Sequence, residues 1–249
     1  MSELQHPDAR PFEQVAALYE RVRPTYPDEA VDWVLDRLGI DTASTVLDLG
    51  AGTGKLTRML VDRAAHVIAV EPGPEMLAQL RRAVPRAEAI LGAAEAIPLP
   101  EDTVDAVVCG QSFHWFRTDE AVPEIRRVLR RGRGLGLIWN IRDPDDAVQR
   151  AITPLLDPLV PPGRPSISAS VAAFVERTFG EVEKNAVPFE EEVDADGLVD
   201  RIFSISFVEA ATEPGRRELA DALRALVAAH GGRVPFRYVT EAFVALNVA

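Results

Sequence analysis

Val46-Leu47-Asp48-Leu49-Gly50-Ala51-Gly52-Thr53-Gly54 is the stretch of sequence that decides the fold. An apolar run passes through an acid into three glycines spaced by single residues, and a helical pattern begins at Lys55. Because glycine has no Cβ, a ligand can approach the backbone closely at such a turn. The helix N-terminus adds unpaired N–H groups and a partial positive charge. The segment therefore predicts a nucleotide-type cofactor site at the end of a first β-strand.

Outward from this turn, strand and helix patterns alternate. Continuous apolar runs, which suit strands covered on both faces of a parallel sheet, predict strands at 45–49, 66–71, 87–91, 104–109 and 135–140. Apolar residues at helical spacing predict helices at 55–64, 74–83 and 119–130. Short links between alternating elements imply right-handed crossovers. We therefore predict an α/β fold with a doubly wound sheet.

The two flanks depart from this rhythm. Residues 1–40 predict helices at 12–22 and 27–38, interrupted near Pro24, which disfavours helix at the residue before it. Beyond residue 140, helices are predicted near 144–157, 168–178, 195–204 and 215–229, and strands at 182–193 and 234–246. The predicted organisation is one domain over 1–249, with an N-terminal helical cap at 1–40, a cofactor-binding core at 41–140, and lid helices with the last two strands at 141–249.

Composition excludes several classes of function. Lys plus Arg is 27 and Asp plus Glu is 39, which gives 27 − 39 = −12 and argues against a nucleic-acid partner. The arginines between 126 and 133 are interpreted as a solvated helix face. A single cysteine, Cys109, excludes a disulfide within the chain and suits a reducing cytoplasm. No apolar run suggests a membrane span or a signal peptide, and no His/Cys spacing suggests a metal site. We therefore expect a cytoplasmic protein without a bound metal.

Four features follow successive predicted strands in order. After the glycine turn, Glu71 ends the second strand about 20 residues after the first glycine, where a carboxylate can accept two ribose hydroxyl protons. Residues 92–100 follow the third strand, and Gln111-Ser112-Phe113-His114-Trp115-Phe116 follows the fourth. Open α/β sheets bind ligands at the carboxyl ends of their strands. All four features therefore predict one site.

The kind of cofactor depends on Asp48. A dinucleotide site normally has the glycine pattern G-x-G-x-x-G, whereas this chain has G-x-G-x-G with an acid two residues before it. An acid at this position repels a pyrophosphate at the helix N-terminus, but it attracts the ammonium of an amino-acid moiety. The sequence therefore favours a sulfonium cofactor with an amino-acid end over NAD.

With these motifs in hand, the chain resembles the class I S-adenosylmethionine-dependent methyltransferases. The resemblance covers roughly residues 44–140 and rests on the glycine turn, Val70-Glu71-Pro72, 94–99 and 104–108 in that order. The stretch from Tyr19 through Arg23-Pro24 to Tyr26-Pro27, together with His114-Trp115-Phe116, resembles a small-molecule subgroup similar to trans-aconitate methyltransferases. The resemblance implies S-adenosylmethionine as cofactor, S-adenosylhomocysteine as product, and a seven-stranded Rossmann-like sheet with an antiparallel last strand, lidded by the N-terminus and an insertion after strand five.

The resemblance also implies a role for each matching position. It implies that Asp48, Gly50, Ala51 and Gly52 face the methionine part of the cofactor and that Glu71 holds the ribose. Pro72 and Met76 would pack near the adenine, and Ala94 and Glu95 would lie at its edge. Gln111 would lie near the methyl end, and Tyr19 and Arg23 at the mouth of the pocket. Where many relatives carry an acid that contacts adenine, this chain has Ala93. The acceptor pocket is assigned to Tyr26, His114, Trp115 and Phe116, with His114 as the candidate general base.

Simpler interpretations stay open for several of these side chains. Asp48 also suits a simple turn residue, and Glu71 a helix-start acid, although the neighbouring motifs favour the ligand roles. Met76 and the aromatic residues suit a core as well as a pocket. Glu95 suits a solvated position, Arg23 suits an ordinary salt bridge, and His114 suits a packing role.

The predicted reaction is transfer of the cofactor methyl group to an O, N or C nucleophile of a small molecule. Because the sulfonium is already activated, the protein mainly supplies proximity and orientation. Two alternatives remain: a non-catalytic S-adenosylmethionine-binding protein, and a methyltransferase that acts on a protein. The sequence pattern specifies neither the acceptor nor an oligomeric state.

Overall fold

The strands of the computed structural model form one seven-stranded sheet. The structure describes residues 22–116, 118–160, 167–209, 211–246 and 248. The strands, in chain order, are β1 Thr45–Leu49, β2 His66–Glu71, β3 Glu88–Leu91, β4 Val104–Gly110, β5 Leu129–Arg142, β6 Val182–Val193 and β7 Val234–Ala245. Their order across the sheet is β3-β2-β1-β4-β5-β7-β6.

All neighbouring strands from β3 to β5 run parallel, whereas β7 runs antiparallel to both β5 and β6. The chain starts in the middle with β1, winds outward through β2 and β3, then returns to β4 on the other side. This reversal between β1 and β4 creates a crevice at their carboxyl ends, where open α/β sheets bind ligands. The prediction of a doubly wound sheet with an antiparallel last strand is confirmed.

The helices lie on both faces of the sheet and beside its carboxyl edge. They are α1 Asp28–Arg37, α2 Lys55–Leu60, α3 Pro74–Ala83, α4 Thr118–Val128, α5 Ala147–Leu156, α6 Ile167–Phe179, α7 Ala195–Phe203, α8 Ser206–Glu209 and α9 Glu213–Ala229. Apolar side chains of α1 and α2 pack on one face, and those of α4 and α6 pack on the other. The strands are accordingly buried on both sides, which explains their continuous apolar sequences.

The predicted N-terminal cap needs a correction where the structure describes it. α1 buries Ala30, Val31, Val34 and Leu35 against the sheet, so this helix belongs to the helical layer rather than to a lid. Val34 sits so close to Gly136 of β5 that a Cβ there would lie 2.5 Å from Val34 Cγ1. The segment that precedes α1, with Arg23 and Tyr26, is the described part of the cap that reaches the site. The predicted helix 12–22 falls mainly outside the described residues.

Several predicted boundaries differ from the observed ones: the helix predicted at 55–64 ends at Leu60, and β5 starts well before its predicted position. β5 spans 14 residues rather than the predicted 135–140, and the helix before it ends at Val128 instead of residue 130. Leu129 already pairs with Val104, and Arg142 still pairs with Tyr238. The polar sequence 130–134 conceals the start of this strand, because its exposed arginines and glycines carry no apolar pattern.

The arginines between 126 and 133 have structural partners. Arg130 and Arg133 form ion pairs of 2.6 and 3.0 Å with the buried Asp105, whose pKa is lowered overall although burial alone would raise it. Arg127 pairs with Glu124 at 2.6 Å. All three side chains are also partly exposed to solvent, as interpreted, but Arg130 and Arg133 lie at the start of β5 rather than on a helix. None of the helices in the described ranges is long and apolar enough to cross a bilayer.

Candidate functional site

The N–H groups of the glycine turn after β1 donate hydrogen bonds to carbonyl groups of the protein itself. Gly50, Gly52 and Gly54 all have positive φ angles, of 71°, 58° and 91°. The Gly50 and Ala51 N–H groups both donate to the Val70 carbonyl, at 2.8 and 3.1 Å, and the Gly54 N–H donates to the Ala51 carbonyl at 3.0 Å. A phosphate-binding loop needs such N–H groups to point at its ligand. This turn therefore offers little for a pyrophosphate.

The three glycines differ in what surrounds them. A Cβ at Gly50 would lie 2.6 Å from Ser112 Cβ, and one at Gly54 would lie 3.0 Å from Leu80 Cγ, so protein atoms occupy the space at both. A Cβ at Gly52 would meet one described neighbour, Met76 Sδ, at 3.7 Å. Gly52 is thus the glycine of the turn that leaves room for a ligand against its backbone.

Glu71 joins the glycine turn to the turn after β2. Its Oε2 accepts the Gly52 N–H and its Oε1 accepts the Gly73 N–H, both at 2.8 Å. The residue is 8% exposed. A carboxylate oxygen carries two lone pairs and can accept more than one hydrogen bond. The carboxylate is therefore held in one orientation at the mouth of the turn, suited to accept two hydroxyl protons of a sugar.

Asp48 lies beneath the turn with no exposed surface. Its Oδ2 accepts the Thr57 hydroxyl at 2.6 Å, which ties β1 to the first turn of α2. Its Oδ1 is buried and has no hydrogen-bond partner in the described part of the chain. Burial raises the pKa of this carboxyl group from 3.8 to about 7, against the opposing effect of the bonds from Thr57. An unpaired buried acceptor is costly, and a cationic ligand group would offset that cost.

Replacing Asp48 with Asn is expected to change how stability depends on pH. With a pKa raised from 3.8 to about 7, the folded state binds more protons than the unfolded state between these values, so stability falls as pH rises through this window. Asp48 alone should cost about 4 kcal/mol of unfolding free energy at pH 8 relative to pH 3.5. Urea denaturation of the ligand-free protein at several pH values measures this.

The difference in pH dependence between wild type and Asp48→Asn isolates the contribution of this residue, because all other titrating groups are shared. A pH dependence that is identical in the two proteins would show that Asp48 is ionised at its ordinary pKa.

The loop after β3 closes the far side of the turn. Gly92 donates to the Glu71 carbonyl at 3.2 Å, and Ala94 is buried while Glu95 is partly exposed. Pro72 is partly buried and Met76 is buried.

Two side chains of α4 support this loop. Glu124 accepts the Ile97 N–H at 2.8 Å, and Arg127 donates to the Ile97 and Leu99 carbonyls at 2.9 and 2.6 Å. These contacts hold the 92–99 loop in place beside β2 and α4.

The turn after β4 forms the other half of the site. Gln111 has a φ of 57°, unusual for a residue with a side chain, and its Nε2 lies 3.4 Å from the Asn140 carbonyl. Ser112 donates its hydroxyl to the Leu49 carbonyl at 2.7 Å, which brings this turn against Gly50. The Asn140 side chain donates to the Thr25 carbonyl at 3.0 Å and accepts the Thr240 hydroxyl at 2.7 Å. Asn140 thus ties the N-terminal segment to the carboxyl ends of β4, β5 and the facing residue of β7.

The aromatic residues of the motif 113–116 differ in how far they are buried. Phe113 is 1% exposed and packs edge-on against Phe116, with ring centroids 5.6 Å apart. His114, Trp115 and Phe116 are each partly exposed, and the His114 and Trp115 rings lie 4.6 Å apart. A Cβ at Gly50 would lie 3.2 Å from Phe116 Cε1, so this ring borders the glycine turn.

The tautomer of His114 follows from its neighbour. The indole Nε1 of Trp139, which can only donate, lies 3.4 Å from His114 Nδ1. A neutral imidazole that accepts at Nδ1 carries its proton on Nε2. In this tautomer Nε2 is a hydrogen-bond donor and has no lone pair with which to act as a base.

The N-terminal segment crosses the carboxyl ends of β4 and β5. Tyr26 is buried, and its hydroxyl would lie 2.7 Å from a Cβ at Gly110. Arg23 donates from Nη2 to the Ser204 carbonyl at 2.9 Å, at the end of α7. This contact ties Arg23 to the insertion after β5 rather than to the glycine turn. The other residue expected at this mouth, Tyr19, lies outside the described residues.

Two exclusions from the sequence can be compared with the described residues. Cys109 is fully buried, and burial raises the pKa of its thiol well above the ordinary value, so this cysteine is not a nucleophile. No group of three potential ligands suited to a metal ion occurs among the residues that the structure describes. The Asp143–Asp146 stretch begins α5 as expected, with Asp146 accepting the Gln149 N–H at 3.0 Å.

Several residues that shape this site carried no sequence signal. Thr57 and Ser112 lie beside motif residues, and a hydroxyl so close to a ligand-binding turn is a weak hint that could have been noticed. Trp139, Asn140 and Arg142 sit in a strand whose sequence indicates only burial. Their importance arises from pairing with β7, about a hundred residues later in the chain.

Comparison with known proteins gives consistent results. A model of the family described as "Methyltransferase domain" matches residues 47–135. An uncharacterised methyltransferase of Mycobacterium tuberculosis is 40% identical over 219 residues, covering 88% of this chain and 86% of the relative. A trans-aconitate 2-methyltransferase of Azoarcus is 36% identical over 108 residues, covering 42% of each chain. Among solved structures, a protein from Anaeromyxobacter dehalogenans described as a type II methyltransferase superposes with a TM-score of 0.70, at 24% identity, over 90% of this chain and 97% of that one.

Proposed function

Because this chain belongs to the class I S-adenosylmethionine-dependent methyltransferases, we propose that it methylates an oxygen, nitrogen or carbon nucleophile of a small molecule. Its cofactor is S-adenosylmethionine, and S-adenosylhomocysteine is the product. One observation carries the assignment of the site: the Glu71 carboxylate is fixed by the Gly52 and Gly73 N–H groups at the mouth of the glycine turn. The acceptor class and the residue roles below are proposals.

The described residues fit this cofactor part by part. Glu71 would accept the two ribose hydroxyls, and the open backbone at Gly52 would lie against the cofactor. Pro72, Met76, Ala94 and Glu95 would border the adenine ring. Asp48 Oδ1, a buried acceptor without a partner, marks the end of the site that suits the amino-acid ammonium. Gly50, Ala51 and Gln111 would border the methionine portion.

A dinucleotide fits the same residues poorly. The N–H groups of Gly50, Ala51, Gly52 and Gly54 all have protein acceptors, so they are unavailable to phosphate oxygens. Asp48 beneath α2 would repel a pyrophosphate when ionised. Both observations favour the sulfonium cofactor over NAD.

The acceptor pocket would be built from the N-terminal segment and the turn after β4. The bound cofactor supplies an electrophilic methyl group on its sulfonium sulfur. The chain therefore has to hold the acceptor in line with that group and to exclude water. Proximity and orientation alone accelerate such a transfer strongly. Tyr26, Trp115 and Phe116 supply apolar walls, and Gln111 joins the two half-sites through Asn140.

His114 is proposed to act as a hydrogen-bond donor to the acceptor rather than as its general base. The Trp139 indole, donating to Nδ1, favours the neutral tautomer with the proton on Nε2. A donor at this position would orient a carbonyl or carboxylate oxygen of the acceptor. An acceptor whose nucleophile is already ionised needs no base.

Replacement of His114 by Gln is expected to keep methyl transfer within about tenfold of wild type, because the amide N–H replaces the Nε2–H donor. Replacement by Phe should lower kcat/KM by about 100-fold, in the range of a lost charge-assisted hydrogen bond. Initial rates of S-adenosylhomocysteine formation measure both. A general base would make the two variants equally inactive, and that result would contradict the donor role.

Isothermal titration with S-adenosylmethionine, S-adenosylhomocysteine and NAD tests the cofactor assignment directly. We expect binding of the first two and none of the third. Formation of S-adenosylhomocysteine is then measured against a metabolite panel and against a set of basic proteins. Turnover with proteins alone would overturn the small-molecule assignment. Cofactor binding without turnover by any acceptor of either kind would favour a non-catalytic binding protein.

A further inference from the structure

Three arginines surround one tyrosine hydroxyl beyond the carboxyl ends of β5 and the facing start of β7. Tyr238 is 4% exposed and lies opposite Arg142 in the antiparallel pair. Arg201 Nη1 lies 3.5 Å from the Tyr238 hydroxyl, and the charges of Arg23 and Arg201 both act on that phenol. Burial, the largest effect, still raises the Tyr238 pKa, so the hydroxyl stays protonated. The cluster is therefore cationic and partly withdrawn from water.

Within the described residues, Arg201 and Arg142 differ in how closely an acid approaches them. Arg201 pairs with Glu191 at 2.5 Å and stacks over the rings of Phe236 and Tyr238. Arg142 donates one long hydrogen bond of 3.4 Å to the Gln149 amide oxygen, and no carboxylate among the described residues forms an ion pair with it. Burial is the main reason that the pKa of Arg142 is lowered, and the nearby charge of Arg23 lowers it further, while the more distant carboxylate of Asp157 only partly opposes these effects without forming an ion pair.

A largely buried arginine beside another positive charge lowers the stability of the folded protein. Removing a guanidinium from water costs free energy unless an anion pairs with it, and the neighbouring charge of Arg23 adds repulsion. Such locally unfavourable arrangements are expected at functional sites, where a bound ligand offsets the destabilisation. Arg142 also presents five donors in a fixed fork that matches two oxygens of an acid. The geometry therefore points to an anionic ligand.

The position of the cluster links it to the acceptor side of the site. Side chains two apart on a strand share a face, so Arg142 projects on the same side as Asn140, about 7 Å further along β5. Asn140 contacts both Gln111 and the Thr25 carbonyl. The cluster thus lies beyond the half-site formed by Gln111 and Tyr26, away from Asp48 and Glu71. An anion bound there would be part of the acceptor rather than of the cofactor.

We propose that Arg142, flanked by Arg23 and the Tyr238 hydroxyl, binds an acidic group of the methyl acceptor, either a carboxylate or a phosphate ester. This inference rests on the proposed function, because it assigns the substrate class of that same site. The acidic group anchors one end of the acceptor while its nucleophile lies toward Gln111.

Direct anion binding tests the inference separately from catalysis. Succinate and glycerol phosphate are titrated into the protein, both ligand-free and saturated with S-adenosylhomocysteine, and the neutral succinamide and glycerol serve as matched probes. We expect at least one anion to bind, the neutral probes to fail, and Arg142→Gln to weaken the anion about 100-fold. The anion that binds more tightly identifies the source of the acidic group. If neither anion binds in either state, or if Arg142→Gln binds as wild type does, the inference is wrong.

Arg237→Gln is the matched control, because Arg237 lies on the same strand as Tyr238 but pairs with Glu190 on the surface. It should bind the anion as wild type does. Arg142→Gln should also melt at or above the wild-type temperature without ligand, since it removes an unpaired charge. A lower melting temperature would indicate a structural role and contradict the proposal. Loss of S-adenosylhomocysteine binding in wild type would instead overturn the proposed function, while the titration of the ligand-free protein still decides the anion site.

Discussion

Replacement of Glu71 by Ala is expected to weaken S-adenosylmethionine and S-adenosylhomocysteine binding by 100- to 1000-fold, or about 3–4 kcal/mol. The carboxylate accepts the Gly52 and Gly73 N–H groups at 2.8 Å and is 8% exposed. Hydrogen bonds to a charged group contribute about 1.5–3 kcal/mol each, and two ribose hydroxyls would be lost together. Isothermal titration of wild type and variant measures the change.

Two further variants separate the loss of ribose contacts from local distortion. Glu71→Gln keeps the volume but brings an NH₂ group against one of the two backbone donors, so its affinity should also fall by at least tenfold. Glu75→Ala removes an exposed acid from the first turn of α3 and should leave affinity unchanged. Wild-type affinity in Glu71→Ala would remove the ribose assignment.

Gly50→Ala is expected to destabilise the protein by about 3 kcal/mol. At a φ of 71° the new Cβ is strained, and it would lie 2.6 Å from Ser112 Cβ. Ser112 cannot withdraw freely, because its hydroxyl donates to the Leu49 carbonyl at 2.7 Å. Thermal and urea denaturation of the purified variant measure the loss.

The matched control is Gly39→Ala, where φ is a similar 65° and no atom lies within 4 Å of the new Cβ. This variant should show the backbone strain alone, about 1 kcal/mol. Equal destabilisation in the two variants would show that the contact with Ser112 is relieved without cost.

Gly52→Ala separates stability from binding at the same turn. Its φ of 58° resembles that of Gly39, and its Cβ would make an ordinary 3.7 Å contact with Met76 Sδ. We therefore expect the stability of Gly39→Ala combined with weaker cofactor binding. The glycines of one motif thus have different tasks: Gly50 permits the approach of Ser112, whereas Gly52 leaves room for the ligand.

Much of the fold was predictable because the relevant signals are local. The strands at Thr45–Leu49, His66–Glu71 and Val182–Val193 have the predicted bounds. A strand that is covered on both faces or bounded by turns can be predicted from a few neighbouring residues. The extra length of β5 was not predictable, because pairing with β4 and β7 holds its glycine- and arginine-rich start in the sheet.

The cofactor half of the site was predictable for the same reason. Asp48, the glycine turn and Glu71 follow consecutive strands, and a parallel sheet brings all carboxyl ends to one edge. The sequence alone therefore determined that this protein carries a sulfonium-cofactor site and where it lies along the chain.

The acceptor half was decided by tertiary structure. The tautomer of His114 depends on Trp139, and the electrostatic environment of Arg142 depends on Tyr238 and Arg23. These groups come from segments about 25 to 120 residues apart, and no periodicity relates them. The pairing of β5 with β4 brings Trp139 to the turn that carries His114, and the register of β5 against β7 places Arg142 opposite Tyr238. Charge and hydrogen bonding act across space and therefore leave no local pattern in the sequence.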